Sequence, residues 1–178
     1  MKFLVTACLL SERLKPRPKP GIQEFFESAE IVIPFATYLT IERGLDLIAR
    51  NDVAKESSLR TQVDAMLSGC ETLRGKDPEI ARVMARILGC GPVRHTWLPN
   101  EKAKAPAYGH YPWVAAASIV TGIPIATVKV ADLLTVSTWF DLPGVFDPTA
   151  RTWLCKSVFS RSVSDETPSP NDGVSCRQ

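Results

Sequence analysis

Short apolar runs alternate along this chain with longer segments in which apolar residues recur every three or four positions. The runs suit strands buried on both faces, and they lie at residues 3–7, 31–33, 123–127 and 145–146. The helical spacing predicts helices at residues 21–28, 34–50, 59–67, 77–88 and 113–121. Asp77 is the expected N-cap of the fourth of these helices. Strands that alternate with helices in this way indicate a mainly parallel sheet inside a three-layer α/β/α sandwich.

Prolines and polar residues mark the breaks between these elements. Residues 15–20 read Lys-Pro-Arg-Pro-Lys-Pro, which cannot form the interior of a helix because proline lacks the N–H donor. We expect a solvated turn between two short helices there, in preference to a basic stripe that contacts RNA. Residues 92–112 contain four prolines and are expected to be mostly loop. We expect one domain at residues 1–153 and a disordered tail at residues 154–178, which are poor in apolar side chains.

The composition narrows the class of protein. With 178 residues, of which 45% are hydrophobic, the chain can bury a core, and its net charge of +2 predicts no nucleic-acid partner. The five cysteines form no CxxC pair, so we expect neither a disulfide framework nor a zinc site, and a cytoplasmic location fits best. No apolar stretch approaches the roughly 20 residues that cross a bilayer, so no membrane partner is expected.

Five short segments carry the features that bear on function. Residues 4–12 read Leu-Val-Thr-Ala-Cys-Leu-Leu-Ser-Glu, and residues 39–45 read Leu-Thr-Ile-Glu-Arg-Gly-Leu. Residues 109–117 read Gly-His-Tyr-Pro-Trp-Val-Ala-Ala-Ala, residues 123–133 read Ile-Pro-Ile-Ala-Thr-Val-Lys-Val-Ala-Asp-Leu, and residues 142–148 read Leu-Pro-Gly-Val-Phe-Asp-Pro. In this order and spacing the segments resemble the PIN-domain family, most nearly the VapC/FitB branch of toxin–antitoxin and plasmid-stability systems. The resemblance spans roughly residues 2–153.

The resemblance implies a metal-dependent ribonuclease, but the residues that would hold the metal are replaced. Members of the family gather acidic side chains at the carboxyl edge of the sheet, where they bind Mg²⁺ or Mn²⁺. At the four matching positions this chain has Thr6, Thr40, Tyr111 and Lys129. A lysine there would repel a divalent ion by about 8 kcal/mol at roughly 4 Å and an effective dielectric of about 20. We therefore expect a degenerate toxin homologue without nuclease activity and without a metal cofactor.

Three other acids keep a second hypothesis open, namely an active endoribonuclease toxin that depends on Mg²⁺ or Mn²⁺. It requires Glu12, Glu42 and Asp132 to converge and replace the lost carboxylates. Glu42 lies two residues after Thr40, which turns it by about 200° around the helix. Asp132 follows Lys129 at a spacing that favours capping a helix or pairing with that lysine.

The resemblance also sets the expected partners. A small antitoxin protein is the expected partner, and association with a second copy of the chain is a further expectation. RNA is a partner only if the chain is active, or as a weak ligand of exposed cations. The cations considered for this are Lys15, Arg17, Lys19 and Lys129.

Overall fold

The computed structural model describes residues 1–98 and 110–155, and within them six strands form one sheet. The strands are β1 (Lys2–Val5), β2 (Glu30–Ile33), β3 (Glu71–Thr72), β4 (Ile125–Ala126), β5 (Val145–Asp147) and β6 (Thr152–Cys155). The helices are α1 (Ala7–Arg13), α2 (Ile22–Ser28), α3 (Phe35–Ala49), α4 (Val53–Leu67), α5 (Asp77–Gly89), α6 (His110–Thr121) and α7 (Ala131–Ser137). A 3₁₀ helix at Gly91–Thr96 follows α5. None of the helices in the described ranges combines the length and apolar character needed to cross a bilayer.

The sheet has the strand order β3-β2-β1-β4-β5-β6, so β1 lies inside it. Every neighbouring pair is parallel except β5 and β6, which are antiparallel. The prediction of a mainly parallel sheet is therefore confirmed. Because parallel strands point the same way, the residues that follow β1 and β4 lie at one edge of the sheet.

Alternate residues of β1 enter two separate apolar clusters. Leu4 packs with residues of α5, α6 and α7 on one face of the sheet. Phe3 and Val5 pack on the other face with residues of α1 and α2. Since side chains alternate across a strand, the sheet has a helical layer on each side, and the predicted three-layer sandwich is confirmed.

The turn at residues 15–20 joins α1 to α2, as predicted. The predicted N-cap at Asp77 is wrong, because Lys76 occupies that position and Asp77 is the first helical residue. Its carboxylate lies in the first turn, where it faces the positive end of the helix dipole. The predicted third strand is shorter than expected, since β4 spans only Ile125–Ala126.

The end of the predicted domain differs slightly from the structure. Leu154 and Cys155 belong to β6, whereas the sequence assigned them to the tail. The remainder of that tail, residues 156–178, lies outside the described residues, as do residues 99–109 of the predicted loop. Within that loop region, residues 91–96 form the 3₁₀ helix and α6 begins at His110, three residues earlier than expected.

Candidate functional site

Small polar side chains meet where β1 and β4 end. Thr6 follows β1 and Thr127 follows β4, and both residues are fully buried. The Thr6 hydroxyl donates a hydrogen bond of 2.9 Å to the Thr127 hydroxyl, which links two residues that are far apart in sequence. Thr127 in turn donates to the carbonyl of Lys129 at 3.2 Å and accepts from the Lys129 N–H at 3.2 Å.

A thiol and a phenol complete this group, which we call the hydroxyl–thiol cluster: Thr6, Cys8, Tyr111 and Thr127. Cys8 Sγ lies 3.1 Å from Thr6 Oγ1 and 3.3 Å from Thr127 Oγ1. Tyr111 belongs to α6, and its hydroxyl donates a hydrogen bond of 3.7 Å to Cys8 Sγ. Burial raises the pKa of Tyr111 well above its usual value, and the nearby Cys8 and Asp132 act in the same direction. The Tyr111 phenol therefore keeps its proton near pH 7, and the members of the cluster bond to one another.

This donor set does not suit Mg²⁺ or Mn²⁺. These ions take carboxylate oxygens as charge-balancing ligands, whereas the cluster offers neutral hydroxyls, a thiol and a phenol. The described residues contain no group of three or more His, Cys, Asp or Glu side chains that could hold a metal ion.

Lys129 joins the cluster through its backbone, while its side chain is exposed. Thr40 lies on α3, and its hydroxyl donates to the carbonyl of Ala36 at 2.7 Å, one turn back on the same helix. The buried Thr37 on α3 donates instead to the carbonyl of Val5 at 2.7 Å. This bond fixes α3 against the end of β1, beside the cluster.

Two of the three alternative acids are bound to cations of their own. Glu12 is buried on α1 and forms an ion pair of 2.7 Å with Lys15. The hydrogen bond from Lys15 holds the pKa of the Glu12 carboxyl below its usual value, and the backbone N–H of Lys19 adds to this effect. Glu42 points to α4, where it pairs with Arg60 at 3.1 Å.

Asp132 lies in the first turn of α7, close enough to Tyr111 to influence its pKa. Two roles were expected for Asp132, capping a helix or pairing with Lys129. The structure contains no ion pair between these two residues, and the N-cap of α7 is Val130, with no side-chain cap hydrogen bond. The carboxylate instead lies near the amino end of α7, where the helix dipole favours a negative charge.

Sequence reasoning missed Cys8, Thr37 and Thr127. Cys8 and Thr127 lie inside two of the quoted segments, but a functional role was predicted only for the positions that match metal ligands of the family. The signal that could have found them is the topology: residues just after two adjacent parallel strands must lie close together.

Known structures share this arrangement of strands and helices, although the sequence itself matches no family model and no curated protein. The FitAcB structure from Neisseria gonorrhoeae aligns with a TM-score of 0.58 and 16% identity, covering 83% of this chain and 98% of that chain. VapBC-1 from nontypeable Haemophilus influenzae aligns with a TM-score of 0.58 and 14% identity, covering 84% of this chain and 99% of that chain. VapBC2 from Rickettsia felis, bound to a DNA fragment from its promoter, aligns with a TM-score of 0.56 and 10% identity. The alignment covers 83% of this chain and 98% of that chain. At these identities the likeness concerns the fold, and the chain has the α/β PIN-like fold that its sequence motifs predicted.

Proposed function

We propose that this chain is a degenerate homologue of the VapC/FitB toxins that lacks nuclease activity and retains a scaffold for binding a small antitoxin protein in the cytoplasm. The hydroxyl–thiol cluster is the observation that carries this proposal. A PIN-type nuclease needs anions at this edge of the sheet to hold a divalent ion. By the sequence resemblance, Thr6 and Tyr111 occupy two of those positions. Their hydroxyls form hydrogen bonds within the cluster.

The surroundings of the other acids support the same proposal. Converting Glu12 or Glu42 into a metal ligand would require breaking its ion pair with Lys15 or Arg60. Glu42 also lies on the side of α3 that faces α4, which turns it away from Thr40. An active Mg²⁺- or Mn²⁺-dependent endoribonuclease that uses Glu12, Glu42 and Asp132 is the alternative that the test must address.

The proposed antitoxin partner is supported by the fold and by the motifs. The similar structures FitAcB and VapBC are named as two-component complexes. We further propose that like subunits associate, with RNA as no more than a weak ligand of the exposed cations.

The test compares three proteins: the wild-type chain, a restored variant and an uncharged twin of that variant. The restored variant carries Thr6→Asp, Thr40→Glu, Tyr111→Asp and Lys129→Asn. The twin carries Thr6→Asn, Thr40→Gln, Tyr111→Asn and Lys129→Asn, which keeps nearly the same shapes without the negative charges. Isothermal titration with Mn²⁺ and a gel assay for cleavage of RNA are run on all three.

We expect the wild-type chain and the uncharged twin neither to bind Mn²⁺ nor to cleave RNA. The restored variant should bind the ion, and at about 100 times its Kd the ion should raise stability by about 2.7 kcal/mol. Urea unfolding with and without Mn²⁺ measures this gain and also checks that the variant folds. Metal-dependent RNA cleavage by the wild-type chain, lost in Glu12→Gln, Glu42→Gln or Asp132→Asn, would establish the alternative instead.

A further inference from the structure

A pocket of about 310 Å³ lies between α2, the start of β1 and the β5–β6 hairpin, and its floor is aromatic. Four rings line it: Phe3, Phe25, Phe146 and Trp153. The centroids of neighbouring rings lie between 5.2 Å and 6.0 Å apart. Its described lining includes no residue of the hydroxyl–thiol cluster, so the pocket is separate from the candidate functional site. The volume lies near the lower end of the range of about 300–1,000 Å³ found for ligand pockets.

Trp153 gives this pocket an apolar wall whose position is fixed. Its ring stacks on that of Phe3, with the centroids 5.7 Å apart and an angle of 27° between the planes. A Cβ placed on Gly144 would lie 2.8 Å from Trp153 Cζ3, so the indole packs directly on the backbone of that glycine. The residue nevertheless remains 39% exposed. A side chain already held in place loses little freedom when it binds a ligand, so the exposed part of the indole is preorganised apolar surface.

Two opposite charges lie at the mouth of the pocket. Glu24 of α2 and Arg151 of the turn before β6 are the only charged side chains among the described residues that line it, and they form an ion pair. Their side chains are 65% and 64% exposed, whereas Phe3 and Phe25 are buried. The charges therefore lie toward the solvent and the rings lie beneath them. An exposed ion pair contributes little free energy, so a ligand can separate it at small cost.

The backbone of Arg151 is strained. Its φ is 53°, and among the residues that the structure describes no other non-glycine residue has a positive φ. This conformation is unfavourable for a residue with a Cβ, and it persists only where the surrounding structure fixes it, often at a functional site. In this turn it accompanies a guanidinium group that reaches Glu24 on a different element.

We propose that this pocket binds a free α-amino acid with a large apolar side chain, such as phenylalanine. The apolar side chain packs on Trp153, the ammonium group pairs with Glu24, and the carboxylate pairs with Arg151, so the ligand inserts into the existing ion pair. A zwitterion complements both charges at the mouth. A simple cation would meet Arg151 and a simple anion would meet Glu24. Nuclease activity and antitoxin binding play no part in this site, which goes beyond the proposed function.

The first test titrates L-phenylalanine into the full-length chain labelled with ¹⁵N, and follows the NMR signal of the Trp153 indole N–H. Trp153→Phe identifies that signal by removing it. For a ligand of this size we expect a Kd of about 2 mM. Glycine keeps both charges without the apolar side chain, and should bind at least about tenfold more weakly. L-Phenylalaninamide lacks the carboxylate and N-acetyl-L-phenylalanine lacks the ammonium group, and each should bind about three- to fivefold more weakly.

The second test assigns each charge of the ligand to its partner. Glu24→Gln should remove the preference for L-phenylalanine over N-acetyl-L-phenylalanine, because the ammonium group has lost its partner. Arg151→Gln should remove the preference for L-phenylalanine over its amide for the corresponding reason. Arg50→Gln is the matched control, because Arg50 is 67% exposed and pairs with Asp46 outside the pocket. It should leave every affinity unchanged, and the NMR spectrum of each variant shows whether it folds.

The proposal is overturned if 20 mM L-phenylalanine leaves the Trp153 signal unmoved. It is also overturned if N-acetyl-L-phenylalaninamide, which carries neither charge, binds as tightly as L-phenylalanine, since the pocket would then accept an apolar side chain of a peptide. A third contrary result is an equal loss for all the ligands in Glu24→Gln and in Arg151→Gln, which would give these two residues a structural role only. A loss confined to the matching ligand group in each variant supports the proposal.

Discussion

At the scale of residues, the candidate site consists of polar side chains that bond to one another. Thr6 and Thr127 are fully buried, and an unpartnered hydroxyl at such a place would cost roughly 1–3 kcal/mol. The hydrogen bond between them removes that cost, and Tyr111 similarly donates to Cys8. The buried polar groups at this edge of the sheet are thereby satisfied by protein atoms.

The buried Tyr111 should make stability fall at high pH. Its pKa is raised in the folded chain, so above about pH 10 the unfolded chain loses the phenolic proton while the folded chain keeps it. Stability should therefore be unaffected by this group below pH 10, and should fall above it by up to about 1.4 kcal/mol per pH unit. Tyr111→Phe should remove this part of the decline, as measured by urea unfolding between pH 8 and pH 11.

Other groups also titrate in that range, so the informative quantity is the difference between the wild-type chain and Tyr111→Phe. Tyr38→Phe is the matched control for removing one hydroxyl, because Tyr38 is 46% exposed in the single chain. Both variants are measured at concentrations at which the chain is monomeric. Parallel pH curves for the wild-type chain and Tyr111→Phe would contradict the prediction. At pH 7 the lost hydrogen bond to Cys8 should cost no more than about 1 kcal/mol.

The substituted positions could be predicted from the sequence, whereas their contacts could not. Thr6 and Tyr111 stand at fixed places in two of the quoted segments, so the expectation that acidic groups are missing follows from the resemblance alone. The partner of Thr6 is Thr127, which lies 121 positions later and reaches it only because β1 and β4 are neighbours. The pairing of Glu42 with Arg60 likewise depends on how α3 packs against α4.

At the scale of elements, the strands that the sequence predicted are those buried on both faces. β1 and β2 each have three consecutive buried apolar residues, and such short apolar runs are the pattern that predicts a buried strand. β3 consists of Glu71 and Thr72, both exposed, and carries no such signal. β6 is mostly exposed and antiparallel, so its position depends on the turn before it and less on apolar pattern.

That turn is fixed by local hydrogen bonds and by one close approach. Asp147 Oδ1 accepts hydrogen bonds of 2.8 Å from the N–H of Thr149 and 2.7 Å from its hydroxyl. Gly21 lies against the same turn, where a Cβ on it would be 2.4 Å from the carbonyl oxygen of Pro148. The start of α2 and the β5–β6 turn are therefore packed too closely for any side chain at Gly21.

Gly21→Ala should destabilise the chain for two separable reasons. Gly21 has a φ of 82°, which alanine adopts at a cost of about 1 kcal/mol, and the clash with Pro148 should add about 1–3 kcal/mol. Gly122→Ala is the control, because Gly122 has a φ of 71° but no atom within 4 Å of its Cβ position. Urea unfolding should place Gly21→Ala clearly below Gly122→Ala, and equal losses would show that the clash relaxes at no cost.

At the scale of the whole molecule, several large apolar side chains lie exposed together on one surface. Phe35, Tyr38 and Leu39 share one face of α3 by their spacing and are 59%, 46% and 54% exposed. Trp113 of α6 is 42% exposed, and its ring centroid lies 6.3 Å from that of Phe35. We call these four residues the α3–α6 face, and such clusters on a surface usually mark an interface.

The α3–α6 face is where we expect two copies of the chain to associate. Replacing Phe35 and Leu39 by glutamate would place charges in the centre of such an interface while leaving the buried core of the monomer intact. Central apolar side chains are typically worth about 1–2 kcal/mol each, so the dissociation constant of the dimer should rise about a hundredfold. Sedimentation velocity over a concentration series measures the change directly.

Val53→Glu is the matched control, because Val53 is 71% exposed on α4 and lies outside the α3–α6 face. A glutamate in the first turn of α4 also suits the helix dipole, so the control should fold normally. Val53→Glu should sediment like the wild-type chain, whereas the double variant at Phe35 and Leu39 should sediment as a monomer. If the wild-type chain is itself monomeric at every concentration, the face does not join like subunits, because nothing would remain for the double variant to dissociate.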